Sequence, residues 1–336
     1  MVFSLPFFSG LQRAWNEVAA ERGASLRWVA VGHAAGAALF QDANPELISE
    51  CVLESGGRNK LDPWALLRRW RANRPVAVIN LSQSVRLALA AWMARVPVRA
   101  GDVNNRLAML YHYGFQYRDL EVPIVRRFGA LLEPLTGQHN ELTMPELNPD
   151  LLGGRHAPEL LRAHGWDGES YVTLAFGTRG YPKRWFPEDE KWPALARIFM
   201  AQGLRVVWLG GGDERELGAR LAALAPGSLD ITGQTSIPEA VALQHGAYGN
   251  ISVDTGLGHT AAATGAPVVT LMGPTREQYF TPQGSYSLTI RGLEVGPDGA
   301  GDAHNSASHR IAPERVADLL HLLANERRQK SITPAI

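Results

Sequence analysis

The chain has 336 residues, with 33 basic side chains against 33 acidic ones, a formal net charge of zero and 45% hydrophobic residues. That length is long for one core and natural for two α/β domains, and the balanced charge argues against a nucleic-acid binder held by global electrostatic attraction. No apolar run approaches the roughly 18 residues a membrane helix needs, and the lone Cys51 can form no internal disulfide and joins no Cys/His spacing of metal type.

The opening Met1–Gly10 stretch is apolar but has neither a basic n-region nor a small-residue cleavage site, so no signal peptide is expected and the cytoplasm is the simplest address. In chain order, Leu5 to Glu21 reads as a helix, Leu26–Val31 as a strand, Pro63–Arg71 as a helix, Val76–Leu81 as a strand and Val85–Arg95 as a helix. Arg68-Arg69-Trp70-Arg71 with Arg74, and Arg126-Arg127, suit either an anionic acceptor or lipid surface or a plainly solvated helix face. The boundary is expected within Thr136–Trp166, rich in Pro, Gly and His and without a steady period.

The rhythm then repeats. Strands are expected near Tyr171–Ala175, Arg205–Leu209, Asn250–Val253 and Pro267–Met272, with helices near Glu188–Gln202, Glu214–Ala225 and Ile237–His245. Gly292–Asn305 reads as a Gly- and Asp-rich loop before a last helix from Pro313 to about Arg327. Alternating strands and helices on this scale predict an α/β protein of two Rossmann-like halves, residues 1–150 and 165–325.

The densest information lies in Ile251 to Thr275, a buried strand, a polar turn, a small-residue helix, a second buried strand and a Gly-Pro turn. Such a unit places donors at the carboxyl ends of parallel strands, where open α/β sheets bind ligands. Asp254, Thr255 and Gly256 form the turn; Gly256 admits a close ligand, and a helix opening near Leu257 aims free N–H groups and a positive dipole end at the same place. Diphosphate suits such a site. The helix Gly258–Gly265 is nearly all small residues, which argues for close packing, with His259 facing the turn.

This segment resembles the donor-site signature of the heptosyltransferases, glycosyltransferase family 9. Further stretches resemble the same family in the right order. These are Gly177-Thr178 followed by Lys183-Arg184-Trp185, the strand Val206–Leu209 running into Gly210-Gly211-Gly212-Asp213-Glu214-Arg215, Thr232-Gly233 through Ser236 with Pro238-Glu239, and Ile311-Ala312-Pro313-Glu314 with Val316. The likeness is dense from about Tyr171 to Val316 and thin before it. It implies the GT-B architecture, two Rossmann-like domains facing across a cleft, with an N-terminal acceptor half and a C-terminal nucleotide-sugar half. It also implies transfer of heptose from ADP-heptose to the lipopolysaccharide core of Gram-negative bacteria, with peripheral contact at the cytoplasmic face of the inner membrane. A family member using another nucleotide sugar or acceptor, and a truncated chain that binds nucleotide without transferring anything, are the alternatives.

Breaking the bond to a diphosphate leaving group requires stabilisation of growing negative charge. Lys183 resembles the family's phosphate-binding lysine, and Thr178, Thr255 and the Gly256 backbone are candidate donors to the phosphates. His259 is placed to donate to or position the diphosphate, Glu214 resembles the residue that reaches the ribose, and Asp254 resembles the aspartate that contacts the sugar. Each also has a plain structural reading: a surface lysine, a packing histidine, a helix-start acid, a turn-forming aspartate. The glycine run is no dinucleotide fingerprint, because Arg215 breaks the G-x-G-x-x-G spacing, and a dehydrogenase is rejected. No Asp-x-Asp pair follows a strand, so metal-independent, cofactor-free, inverting transfer is expected.

The family's first strand and Gly-Asp turn, whose aspartate is the expected general base, find no counterpart; Met1 stands about where that aspartate belongs. The expected base would therefore precede Met1, as a start assigned too late or a decayed gene would explain. Asp102, Glu54 and His33 lie in the same half without a motif to support them.

Overall fold

The computed structural model describes residues 5–32, 50–53, 62–81, 84–104, 106–116, 124–137, 144–152, 154–166, 168–178, 183–273, 280–291 and 307–332. The chain divides into two compact units, Phe3–Thr143 and Met144–Ile336.

In the first unit, helix α1 (Leu5–Glu21) buries Phe7, Leu11 and Ala14, a spacing that puts them on one face. Strand β1 (Val29–Gly32) pairs in parallel with β2 (Glu50–Leu53). Helix α2 (Pro63–Asn73) starts where local chemistry says it should: the Asp62 carboxylate accepts the Trp64 N–H at 2.9 Å and Pro63 occupies the first turn. Strand β3 (Ala77–Asn80), helix α3 (Val85–Met93), β4 (Val98–Asp102) and β5 (Tyr113–Phe115) follow, and the three strands form a parallel sheet in the order β3-β4-β5. Helices α4 (Ile124–Gly129) and α5 (Leu132–Thr136) pack on α1, where the Trp15 indole N–H donates to the Leu135 carbonyl at 2.9 Å. The strand expected at Leu26–Val31 begins three residues later. Strands β4 and β5 escape a reading by apolar runs, because Arg99 and Gly101 interrupt one and the other is only three residues long.

The second unit carries helix α6 (Ala157–Arg162), β6 (Tyr171–Ala175), α7 (Glu188–Ala201), β7 (Arg205–Leu209), α8 (Arg215–Ala223), β8 (Leu229–Asp230), α9 (Ile237–Gly246), β9 (Gly249–Val253), α10 (Gly256–Ala263), β10 (Val268–Met272), β11 (Ser287–Arg291) and α11 (Pro313–Ile332). All six strands are parallel, in the order β11-β10-β9-β6-β7-β8. This is the strand order of a doubly wound dinucleotide-binding fold, and its reversal lies between β6 and β9.

Both faces of the sheet are covered, which is why its central strands read as unbroken apolar runs. Val172, Leu174, Val206, Trp208, Ile251 and Val253 pack with Trp192, Phe199 and Leu320 on one side. Tyr171, Val207 and Leu209 meet Leu160, Leu161 and Leu243 on the other. Asn250 is a buried polar node: it accepts from the Thr173 hydroxyl and its amide donates to the carbonyls of Gln244 and Pro267. Trp208 is fully buried and its indole N–H donates to the Ser228 hydroxyl at 2.7 Å. Trp208→Ala is expected to cost about 3–5 kcal/mol of stability. A denaturant midpoint matching the parent chain would show that this packing contributes nothing.

Candidate functional site

The turns after β6 and β9 meet at the sheet's reversal. The Thr178 hydroxyl, just beyond β6, donates to the Asp254 carbonyl, just beyond β9, at 3.3 Å. Asp254 is buried, and its Oδ2 lies 2.7 Å from Lys183 Nζ, on a lysine about one-third exposed. The pair holds a cation at the carboxyl ends of two central strands.

What aims Lys183 is an anchor two residues on. Trp185 is fully buried, stacks edge-on against Trp192 at 5.0 Å and donates its indole N–H to the Ile311 carbonyl at 3.2 Å. The same carbonyl accepts from Lys191 at 2.7 Å, and the Ser308 hydroxyl donates to the Arg184 carbonyl at 2.9 Å. The Ile311 stretch thus clamps the segment that carries Lys183.

On the other side, Thr255 stands at the N-cap of α10 without bonding to it through its side chain. A methyl group added at Gly256 would meet nothing within 4 Å, so the space before the helix is open. A methyl at Gly258, by contrast, would strike the Ser252 hydroxyl at 2.4 Å, which confirms the close packing expected of a small-residue helix. Gln244 fixes this first turn, donating to the Leu257 carbonyl at 2.8 Å and accepting from the Thr260 hydroxyl at 2.7 Å.

His259 projects from the same turn; the residue is partly exposed, but its Nδ1 is enclosed. Burial pushes its pKa down to about 4; the Lys183 cation also lowers it, and the Asp254 carboxylate pulls it upward. The ring is therefore neutral at pH 7. Between about pH 6.5 and 4 the unfolded chain binds a proton that the folded one refuses, so stability falls as pH drops through that window. His259→Gln is expected to flatten this limb of the stability curve, and an unaltered slope in denaturant titrations would contradict the assignment.

Glu214 stands one strand over. Its carboxylate accepts the Gly211 N–H at 2.7 Å and fills the space beside Gly177 and Gly210, where a side chain of any size would collide with it. Thr178, Lys183, Asp254, Thr255, Gly256 and His259 thus share one locus, and Glu214 borders it through Gly177.

Other motif residues have structural work. Ser236 and Glu239 form a reciprocal cap at the start of α9, with the Ser236 N–H donating to Glu239 Oε2 at 2.8 Å. Asp102 is buried at the end of β4 and accepts the Asn104 N–H at 3.0 Å. Pro274, Thr275, Gly292–Asn305, His33 and Glu54 lie outside the described residues. Sequence reasoning missed Gln244 and the anchoring function of Trp185, although two tryptophans, Trp185 and Trp192, each close to a lysine in a lysine-poor chain, were a usable signal. Among the described residues there is no cluster of three or more His, Cys, Asp or Glu with metal-holding geometry.

Residues 64–298 match the family model described as glycosyltransferase family 9 (heptosyltransferase). The chain belongs to this family. Lipopolysaccharide heptosyltransferase 2 of Salmonella typhimurium is 27% identical over 304 residues, covering 85% of this chain and 84% of that protein. The structure of Escherichia coli ADP-heptose lipopolysaccharide heptosyltransferase II superposes with a TM-score of 0.77 at 21% identity, covering 98% of this chain and 96% of that one. A family 9 glycosyltransferase structure from Veillonella parvula gives 0.79 at 17% identity, covering 97% and 94%. At those identities the likeness carries the fold, the GT-B architecture built from two Rossmann-like domains. Within family 9 terms, the chain is a glycosyltransferase, and its candidate site occupies the second such domain.

Proposed function

We propose that this family 9 enzyme transfers heptose from ADP-heptose to the inner core of lipopolysaccharide by a metal-independent inverting displacement. The second unit holds the nucleotide sugar and the first holds the acceptor. The observation that carries the reading is the Lys183–Asp254 pair beside the open N-terminus of α10, at the reversal of a doubly wound sheet. Its support from relatives is the 27% identical lipopolysaccharide heptosyltransferase 2, matched over most of both chains.

In the displacement an acceptor hydroxyl attacks the anomeric carbon, its proton leaves to a general base, and ADP departs with the bonding electrons. Charge then grows on the diphosphate. Lys183 meets it as a compact cation, while Thr178, Thr255, the Gly256 N–H and the helix dipole add donors that need no reorganisation. Neutral His259 donates to or positions the same group, Glu214 lies toward the ribose, and Asp254 contacts the sugar. The enzyme works in the cytoplasm, with peripheral contact at the inner membrane. Among the described residues no helix is long and apolar enough to cross a membrane.

A calorimetric panel of ADP, UDP and GDP tests the donor. ADP is expected to bind at least about tenfold more tightly than either, a difference of roughly 1.4 kcal/mol, and transfer is expected to survive EDTA. Equal affinity for the three nucleotides would defeat the ADP-heptose reading.

A further inference from the structure

Two helices of the first unit carry a surface that donor chemistry does not use. From Pro63 to Arg95 the chain holds six arginines and no lysine or acid, in a protein whose formal net charge is zero. Arg68, Arg71, Arg74, Arg86 and Arg95 are exposed. Among them stand Trp64, Trp92 and Leu89, which are 57%, 51% and 37% exposed.

Helical spacing organises these side chains. Val85, Leu89 and Trp92 fall on one outward stripe of α3, and Trp64, Arg68 and Arg71 on one outward stripe of α2. Arg71 donates to the Met93 carbonyl at 3.4 Å, tying the ends of the two helices together. A cavity of about 510 Å3 opens between them, with Trp64, Arg86, Leu89 and Met93 in its lining. Asp62, the one acid on its rim, is engaged with the Trp64 N–H.

A merely solvated face would not present two half-exposed indoles. Indoles and guanidinium groups together suit the headgroup layer of a bilayer: the amphipathic rings enter the interface and the arginines meet lipid phosphates. We propose that α2 and α3 form a docking face for an anionic phospholipid surface, with Trp64 and Trp92 as interfacial anchors and Arg68, Arg71 and Arg86 as phosphate contacts. The inference rests on the peripheral membrane contact of the proposed function and gives that contact a surface.

The test is co-sedimentation of the full chain with vesicles of equal parts phosphatidylglycerol and phosphatidylcholine, and with phosphatidylcholine alone. The chain is expected to bind the anionic vesicles, more weakly as salt rises, and not the neutral ones. One arginine near such a surface is worth about fivefold in partitioning, so Arg68→Gln/Arg71→Gln/Arg86→Gln should lose about a hundredfold. Trp64→Ala/Trp92→Ala should lose at least about tenfold. Folding of every variant is checked by circular dichroism and the denaturation midpoint, and ADP affinity, which belongs to the second unit, should not change, which keeps this result separate from the donor reading. Failure of the parent chain to bind anionic vesicles, equal binding to neutral ones, or undiminished binding by both folded variants would overturn the proposal.

Discussion

Lys183→Ala is expected to weaken ADP binding by at least about thirtyfold, roughly 2 kcal/mol, the worth of a charge-assisted contact to a phosphate. The estimate follows from how the lysine is held. Its ammonium is already 2.7 Å from the Asp254 carboxylate, and Trp185 pins the adjoining chain into the core. Little side-chain freedom then remains to be lost when ligand arrives, so most of the interaction appears as affinity. Lys183→Arg should recover only part of the loss, because a planar guanidinium replaces a compact point charge. Isothermal titration of ADP into each variant reads the result, and unchanged affinity in Lys183→Ala would remove the donor site from this locus.

Asp254→Asn should separate binding from chemistry. The carboxylate is buried at the end of β9 and faces the lysine that the diphosphate would engage. An anionic ligand gains nothing from a neighbouring negative charge, so ADP should bind Asp254→Asn as well as the parent chain or more tightly. Turnover should nevertheless fall by about a hundredfold, roughly 2.7 kcal/mol, if the carboxylate acts on the sugar as charge redistributes in the transition state. Asparagine keeps the shape of the turn and the backbone carbonyl that accepts from Thr178. Equal losses in ADP affinity and turnover would mean instead that Asp254 works by holding the loop.

The legible parts of the fold are those whose burial is symmetrical. Tyr171–Ala175 and Arg205–Leu209 lie in the strands as read, because both faces of a central parallel strand are covered and, Arg205 at the strand start apart, the positions are apolar or small. Ser287–Arg291 escaped notice because it is an edge strand of half-buried, mixed residues. The helix read as opening near Leu257 begins at Gly256, with Thr255 at its cap. Asp62 and Ser84 cap their helices through local hydrogen bonds alone, which a sequence carries in full.

The candidate site divides the same way. The order of motifs, the small-residue helix and the turn Asp254-Thr255-Gly256 are local, and from them the sequence determined the family and the fold class and singled out the residues proposed to gather a diphosphate. It did not determine that Lys183 faces Asp254, that Ile311 holds Trp185, or that Glu214 fills the space left by Gly177 and Gly210. The Lys183–Asp254 contact exists because β9 pairs with β6 rather than with β8, its predecessor in the chain, and the Glu214 contact because β7 pairs with β6 on its other side. Strand order is a property of the whole sheet, chosen by the joint burial of residues far apart in sequence, and only the tertiary structure decided it.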